Sequence, residues 1–397
     1  MASLALAALW PWASAASAAA FGAVAPVNQT EALRQIHAET GLGLFATGAR
    51  GALYRWAPGA ASATDVARLL DPQSPLAGGH GRVAARRADG GLLVLAQGRL
   101  QGSKGVRLAQ HAGLLVLPLA VIAVAVGTDG RQHRLIRLEP DAGGHWREVA
   151  RSAAAVLPDA RPVQVDLDGS GEGGHIAVLA GPDSERYGHA VLGDGIEATQ
   201  VLWLERHALT PLRQMDLQAP YVFEDTVLRP VKLDGAEGLL TVRSGPQGGQ
   251  LALLARDPKR ADALQLRALG DPVGGRHRWL SPTTDGQRWL AVHTPHIGGV
   301  LHEYRLDGDQ LARRALTKDV STHLIGSREL DLSVWLGSKL MLPSQDGRRL
   351  RVFDAAAGFA EAASVALPGR VTMARAWPDA SAVVVLLDDG RAVQVAA

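Results

Sequence analysis

RPVQVDLDGSGEGGHIAVLAG (Arg161–Gly181) contains, in one line, an alternating apolar strand, an Asp-Gly turn and a second, more apolar strand. Val163 and Val165 alternate with polar neighbours, as on a half-buried strand. IAVLA is an unbroken apolar run, as on a strand covered on both faces. The same unit returns as RPVKLDGAEGLLTVRSG (Arg229–Gly245) and RWLSPTTDGQRWLAVHTP (Arg278–Pro295). Weaker copies read GRVAARRADGGLLVLAQG (Gly81–Gly98) and GRVTMARAWPDASAVVVLLDDG (Gly369–Gly390). Hairpins returning at a period of about 40–50 residues predict an all-β chain folded as a β-propeller.

Matching the first strand of each copy places unit starts at Arg82, Pro118, Arg161, Arg229, Arg276, His323 and Arg370, with the last four evenly spaced. This predicts a single seven-bladed propeller over residues 41–397, with six or eight blades as the alternatives. Strands after Gly41 are expected to complete the last blade and so close the ring, which removes exposed sheet edges. Residues 21–40, with QTEALRQIHAET (Gln29–Thr40), read as a polar, helical-looking lead. The unit over 161–228 is longer than the rest. Loops exceeding a repeat are where such a scaffold differentiates, so its inserted stretch, Asp183–Asp225, is the first place to look for function.

Composition bounds the function classes. The 397 residues are 47% apolar, enough for a core, and carry a formal charge of only +2 with no long Lys/Arg block. That gives no basis for a nucleic-acid partner. Cysteine is absent, which excludes disulfides, thiolate metal sites and a cysteine nucleophile. Residues 1–20 read as a signal peptide: Leu4–Trp12 is apolar, and ASAASAAA (Ala13–Ala20) offers several small-residue cleavage frames. Its n-region is atypical, with no Lys or Arg before Arg34. The expected location is the periplasm or the cell exterior, with no membrane span after cleavage; a retained N-terminal anchor is the alternative.

VQVDLDGSGEGGHIAVLAG resembles an FG-GAP or VCBS repeat, the unit of integrin-alpha-like propellers, in which a D-x-D-G-D-G loop joins two strands and binds calcium. RYGHAVLGDGIEA (Arg186–Ala198), VFEDTVLRPVKLDG (Val222–Gly235), RHRWLSP (Arg276–Pro282), HTPHIGGVLHEYRLDGDQL (His293–Leu311) and THLIGSRELDLS (Thr322–Ser333) extend the resemblance to a bacterial VCBS-repeat group of exported proteins. It covers about residues 160–355. What the resemblance implies for calcium is tempered by the ligand count. Asp166, Asp168, Ser170 and Glu172 keep the alternation a calcium loop uses, but Ser170 stands where a third Asp is expected. The turns at Asp129, Asp234 and Asp285 keep little beyond Asp-Gly, a favoured hairpin turn without any metal. For the Asp166 loop, calcium is possible and a plain turn is preferred.

Binding candidates in the inserted stretch are Arg186, Tyr187, His189, Asp194 and Glu197, beside Glu224 and Asp225. His with carboxylates suits acid–base or metal chemistry; turn and cap positions of an extra hairpin are the favoured reading. His296 and His323 are the other candidates. A turn through Thr294-Pro295 presents His296 apart from His293, since residues three apart on a strand face opposite sides. Arg328 and Glu329 read as an ion pair between units. The remaining Trp residues are spread through the repeats, as core packing requires. No G-x-S-x-G, H-E-x-x-H or phosphate loop is present. The expectation is therefore an exported, monomeric, non-catalytic propeller that binds a protein or glycan. The alternative is a hydrolase or lyase with His189, His296 and His323 at the channel mouth.

Overall fold

The computed structural model describes residues 22–58, 60–171, 173–257 and 259–396. The expected leader over residues 1–20 and the Glu172 position lie outside them. Antiparallel pairing groups the described strands into eight four-stranded units, over residues 33–67, 77–102, 115–151, 163–216, 229–270, 280–318, 334–366 and 371–396. Five units are separate sheets. The fourth to sixth are joined by the short strand Val222–Phe223, which pairs with both Ala198 and Ser244, and by a parallel contact between Leu269 and Gln310.

Each unit buries its apolar residues against the next. Leu53 and Leu70 meet Val83 and Leu95 between the first two units, and Val383 and Val385 meet Val334 and Val352 between the last two. The ring closes where Leu33 and Ile36 pack with Met373 and Trp377. The second strand of a unit is sandwiched between neighbours: Ala382–Leu387 is buried at every position. The outermost strand faces water, as Pro211–Asp216 shows. This division explains why the second half of each hairpin is the more apolar. Trp56, Trp146, Trp203, Trp279, Trp289 and Trp377 are buried, in keeping with their dispersal through the repeats.

The described strands pair into eight four-stranded units, one more than the seven expected and one of the two alternatives, and the helical reading of the lead is not met. Leu33–Glu39 is a strand, the first of a unit completed by Gly43–Gly48, Leu53–Trp56 and Thr64–Ala67. The closing strand lies further upstream, at Val24–Pro26, and pairs with Val393–Val395 as the outer strand of the last unit. Closure by N- and C-terminal strands thus stands, but with a different N-terminal segment.

Within a unit, the turns joining strands one to two and three to four fall at one end of the ring. The connections between strands two and three, and the linkers between units, fall at the other. The Asp166, Asp234 and Asp285 turns belong to the first end, and the inserted 183–197 connection to the second. Val163 to Arg229 is the longest step between successive first strands, as the sequence indicated.

Candidate functional site

The inserted connection, two linkers and one loop converge on the linker face. In the insertion, Asp183 accepts the backbone N–H groups of Glu185 and Arg186 at 2.8 Å. A 3-10 turn, Ala190–Leu192, then buries Val191 and Leu192 against Trp279 and Leu330. Gly193 ends the turn at φ +109, and a Cβ there would lie 2.8 Å from the Arg328 guanidinium. The backbone conformation, which L side chains rarely adopt, is what calls for glycine here.

A cleft of about 480 Å³ opens beside this turn, lined by His189, Val191, Arg276–Trp279, Thr294–Ile297 and Ile325. Trp279 and His296 form its base, with His323 buried behind them. The Trp279 and His296 rings stack at 6.3 Å between centroids, and His323 stands edge-on to Trp279 at 5.0 Å. The His296 Nε2 and His323 Nδ1 atoms share a hydrogen bond of 2.8 Å, while His323 Nε2 donates to the Ser327 carbonyl at 2.8 Å. Since His323 carries its proton on Nε2, His296 is the donor in the ring-to-ring bond. Burial holds the His296 imidazole down at about 4 and also lowers His323, so both are neutral near pH 7.

The opposite wall is His189 stacked on His277 at 4.8 Å, with Tyr187 edge-on to both. Tyr187 is buried, its hydroxyl accepts the His277 backbone N–H at 3.0 Å, and burial pushes its phenol up to about 12. Behind His189 lies Glu224, fully buried. Its carboxylate bonds to His189 Nδ1 and accepts from Ser244, and its carbonyl accepts the Trp279 indole N–H at 3.0 Å. Burial pushes the Glu224 carboxyl up, against the pull of the His189 hydrogen bond. Two non-glycine residues of the cleft are left-handed, His277 at φ +66 and Thr294 at φ +47. Such backbone conformations cost about 1–3 kcal/mol each and persist where surrounding packing imposes them.

Of the sequence candidates, His189 and His296 line the cleft, and Tyr187 and His323 are buried directly behind them, in ring contact with the lining. The strand Trp289–His293 ends before Pro295, and His296 stands apart from His293, which stacks on His302. The other three candidates do not line the cleft. Arg186 donates to the Leu217 and Tyr221 carbonyls, tying the insertion to the linker. Asp194 accepts the Ile196 N–H and pairs with Arg328 at 2.7 Å. Glu197 is buried below, opposite Asp183 in register, where burial and the neighbouring carboxylates, Glu224 foremost, push it well up. The turn-and-cap reading thus describes Asp183, Arg186 and Asp194. Arg328 and Glu329 do not pair with each other: adjacent residues reach different partners, Asp194 for one and Arg375, at 3.0 Å, for the other.

Arg276, His277 and Arg278 were carried within repeat copies in the sequence analysis, and none of them was named as a binding candidate. The signal was present: RHR follows Gly274-Gly275 in a linker, where neither strand alternation nor a turn requires three cationic or imidazole side chains. A second cavity, about 320 Å³, lies across the loop around Gly326 at the inner strands of the first and last units, bordered by Arg34, His111, Arg161 and Glu329. On the opposite end, Asp166 accepts the Ser170 and Gly171 N–H groups at 3.0 and 2.9 Å, and Asp168 accepts Ser170 at 3.2 Å. Among the described residues no group of three or more His, Asp or Glu side chains is arranged to hold a metal. No described helix is long and apolar enough to cross a membrane.

The ring of radially packed four-stranded sheets, closed by a terminal strand, defines the chain as a β-propeller. Solved structures share this arrangement. BamB from Moraxella catarrhalis matches at a TM-score of 0.56 and 11% identity, covering 94% of this chain and 96% of that one. Sqt1 from Saccharomyces cerevisiae matches at 0.60 and 10%, covering 93% and 96%. The computationally designed Ika8 matches at 0.56 and 11%, covering 93% and 97%. At these identities the likeness is one of fold. No protein-family model and no curated protein matches the chain.

Proposed function

We propose that this propeller is a partner-binding protein that docks a protein segment in the cleft between the 189–193 turn, the 276–279 linker and the 294–297 loop. One observation carries the reading. Ile297 and Ile325 stand 66% and 72% exposed at a cleft that four separate connections build, two of them through left-handed non-glycine residues. Large exposed apolar residues gathered at a concave site suit recognition. A glycan is less well served, because Tyr187 and Trp279 are buried and present no open ring face. The finer elements of the reading are an exported, VCBS-like chain acting as a monomer in the periplasm or outside the cell. They rest on the leader-like residues 1–20 and the repeat resemblance.

The test is capture of partners by the purified chain from its own cell extract. The wild type is compared with the double variant Ile297→Asp/Ile325→Asp and with Asp234→Lys on the opposite end. Loss with the first variant only is expected; equal capture by all three chains overturns the reading. N-terminal sequencing of the exported protein, expected to begin just after Ala18 or Ala20, tests the leader.

A second reading has an observation of its own. His189, with Glu224 behind it, faces a cleft that also holds His296, itself backed by the buried His323, an arrangement suited to acid–base work. It lacks an evident nucleophile, since the Thr294 hydroxyl is turned to the Ile297 carbonyl at 3.1 Å. A hydrolytic activity abolished by His189→Ala would favour it over the binding reading.

A further inference from the structure

We infer that the cleft seats a peptide segment carrying a carboxylate beside an aliphatic or aromatic side chain. The inference rests on the partner-binding reading and specifies the partner's chemistry. Charge complementarity carries it. The lining brings two guanidinium groups, Arg276 and Arg278, to one cavity beside three imidazoles that can serve as hydrogen-bond donors, and no carboxylate lines it. The nearest acids are already engaged: Glu224 lies behind His189, bonded to it and to Ser244, and Asp194 is held by Arg328. A cationic segment would meet two guanidinium groups there and no carboxylate to offset them.

The two arginines are not committed to the fold. Arg278 is exposed, and its guanidinium has no hydrogen bond or ion pair among the described residues. Arg276, also exposed, lies over the Tyr187 ring at 5.6 Å and donates only its Nε, to His277 at 3.2 Å. Its terminal nitrogens have no partner among the described residues. Planar guanidinium groups match carboxylates with two parallel hydrogen bonds, which makes arginine the favoured residue for this contact. Ile297 and Ile325 supply the apolar half of the match from two different loops. A volume of about 480 Å³ accommodates a few side chains of a segment rather than a domain surface. Two arginines on a chain of formal charge +2 do not make the extended basic track that a nucleic acid needs.

The test uses the full mature chain and three sets of dye-labelled twelve-residue peptides, read by fluorescence polarisation. One set alternates Asp or Glu with Leu or Phe; the second replaces the acids with Asn or Gln; the third replaces them with Lys. Binding of the acidic-apolar set is expected, with at least a tenfold loss for the amide set, none for the Lys set, and weakening between 50 and 300 mM salt. Arg278→Glu should lower affinity for the acidic set at least tenfold while leaving the thermal melt unchanged, because the side chain is exposed and unbonded. Ile297→Asp should weaken it as well. Equal binding of acidic and amide peptides that Ile297→Asp still abolishes would overturn the carboxylate inference and leave the cleft as a docking site. Acidic-peptide binding that neither variant alters would overturn both readings. No binding by any set at millimolar peptide also overturns the inference.

Discussion

At the residue scale, buried histidines set the response to acid. His293 is buried, bonds through Nε2 to the Tyr304 hydroxyl at 2.5 Å, stacks on His302 at 3.9 Å and lies 3.5 Å from the Arg313 guanidinium. Burial first, then His302 and Arg313, hold its imidazole down at about 3. The unfolded chain protonates this residue near the ordinary value of about 6.5, so stability falls as pH drops from there toward 3. Asp159 works the other way. Burial and then Asp194 push it up to about 6, against the pull of Arg328, so the folded state takes its proton first and gains stability as pH falls from about 6 to 4. A single variant isolates the histidine. His293→Gln, which keeps a hydrogen-bonding group for Tyr304, should flatten the loss of stability between pH 6.5 and 4. The change amounts to as much as one proton, about 1.4 kcal/mol per pH unit. Urea melts at pH 7 and pH 5 measure it; parallel losses in the two proteins would sink the assignment.

At the scale of elements, the hairpin is both what the sequence displays and where its reading slips. The Arg161, Arg229 and Gly369 copies are first and second strands of their units, but the Gly81 copy spans the strands Arg82–Arg86 and Leu92–Ala96, which are second and third. A strand–turn–strand pattern is locally the same for either pair, so counting from it merged the first unit with the closure. The long fourth unit was legible because extra length needs no register. The cleft was half legible: His189 and Tyr187 lie in that excess length, whereas Arg276 and His277 lie in a linker of ordinary length and meet them only where the fourth to sixth units pack side by side. The Asp166 turn carries a further prediction. Both its carboxylates cap the N–H groups of their own loop, as Asp side chains do in turns without a metal. We therefore take it as a plain turn. Calcium at 5 mM should leave the melting temperature unchanged; a rise that grows with calcium concentration would show a working site.

At the scale of the whole molecule, the ring depends on one short strand. Val24–Pro26 pairs with Val395, Gln394 and Val393, and flanking bonds run from Gly22 N–H to the Ala396 carbonyl, from Ala396 N–H to the Ala23 carbonyl, and from Val27 N–H to the Ala392 carbonyl. The three strand residues are exposed, so they contribute little apolar burial of their own. Their role is to cover the edge of Ala392–Ala396, whose unpaired N–H and C=O groups would otherwise offer a template for another chain. Val27 is buried beside Leu33 and Trp56, which anchors the strand to the first unit and joins the two ends of the ring. A chain beginning at Asn28 should therefore keep its other seven units intact in circular dichroism yet melt several degrees below a chain beginning at Gly22. It should also self-associate as concentration rises, while the longer chain sediments as a monomer. Scanning calorimetry and sedimentation velocity read the two effects separately. Equal melting with monomeric sedimentation of both chains would mean that the last unit holds its edge without the strand, and that closure of this ring lies in the packing of Met373 and Trp377 against Leu33 and Ile36 alone.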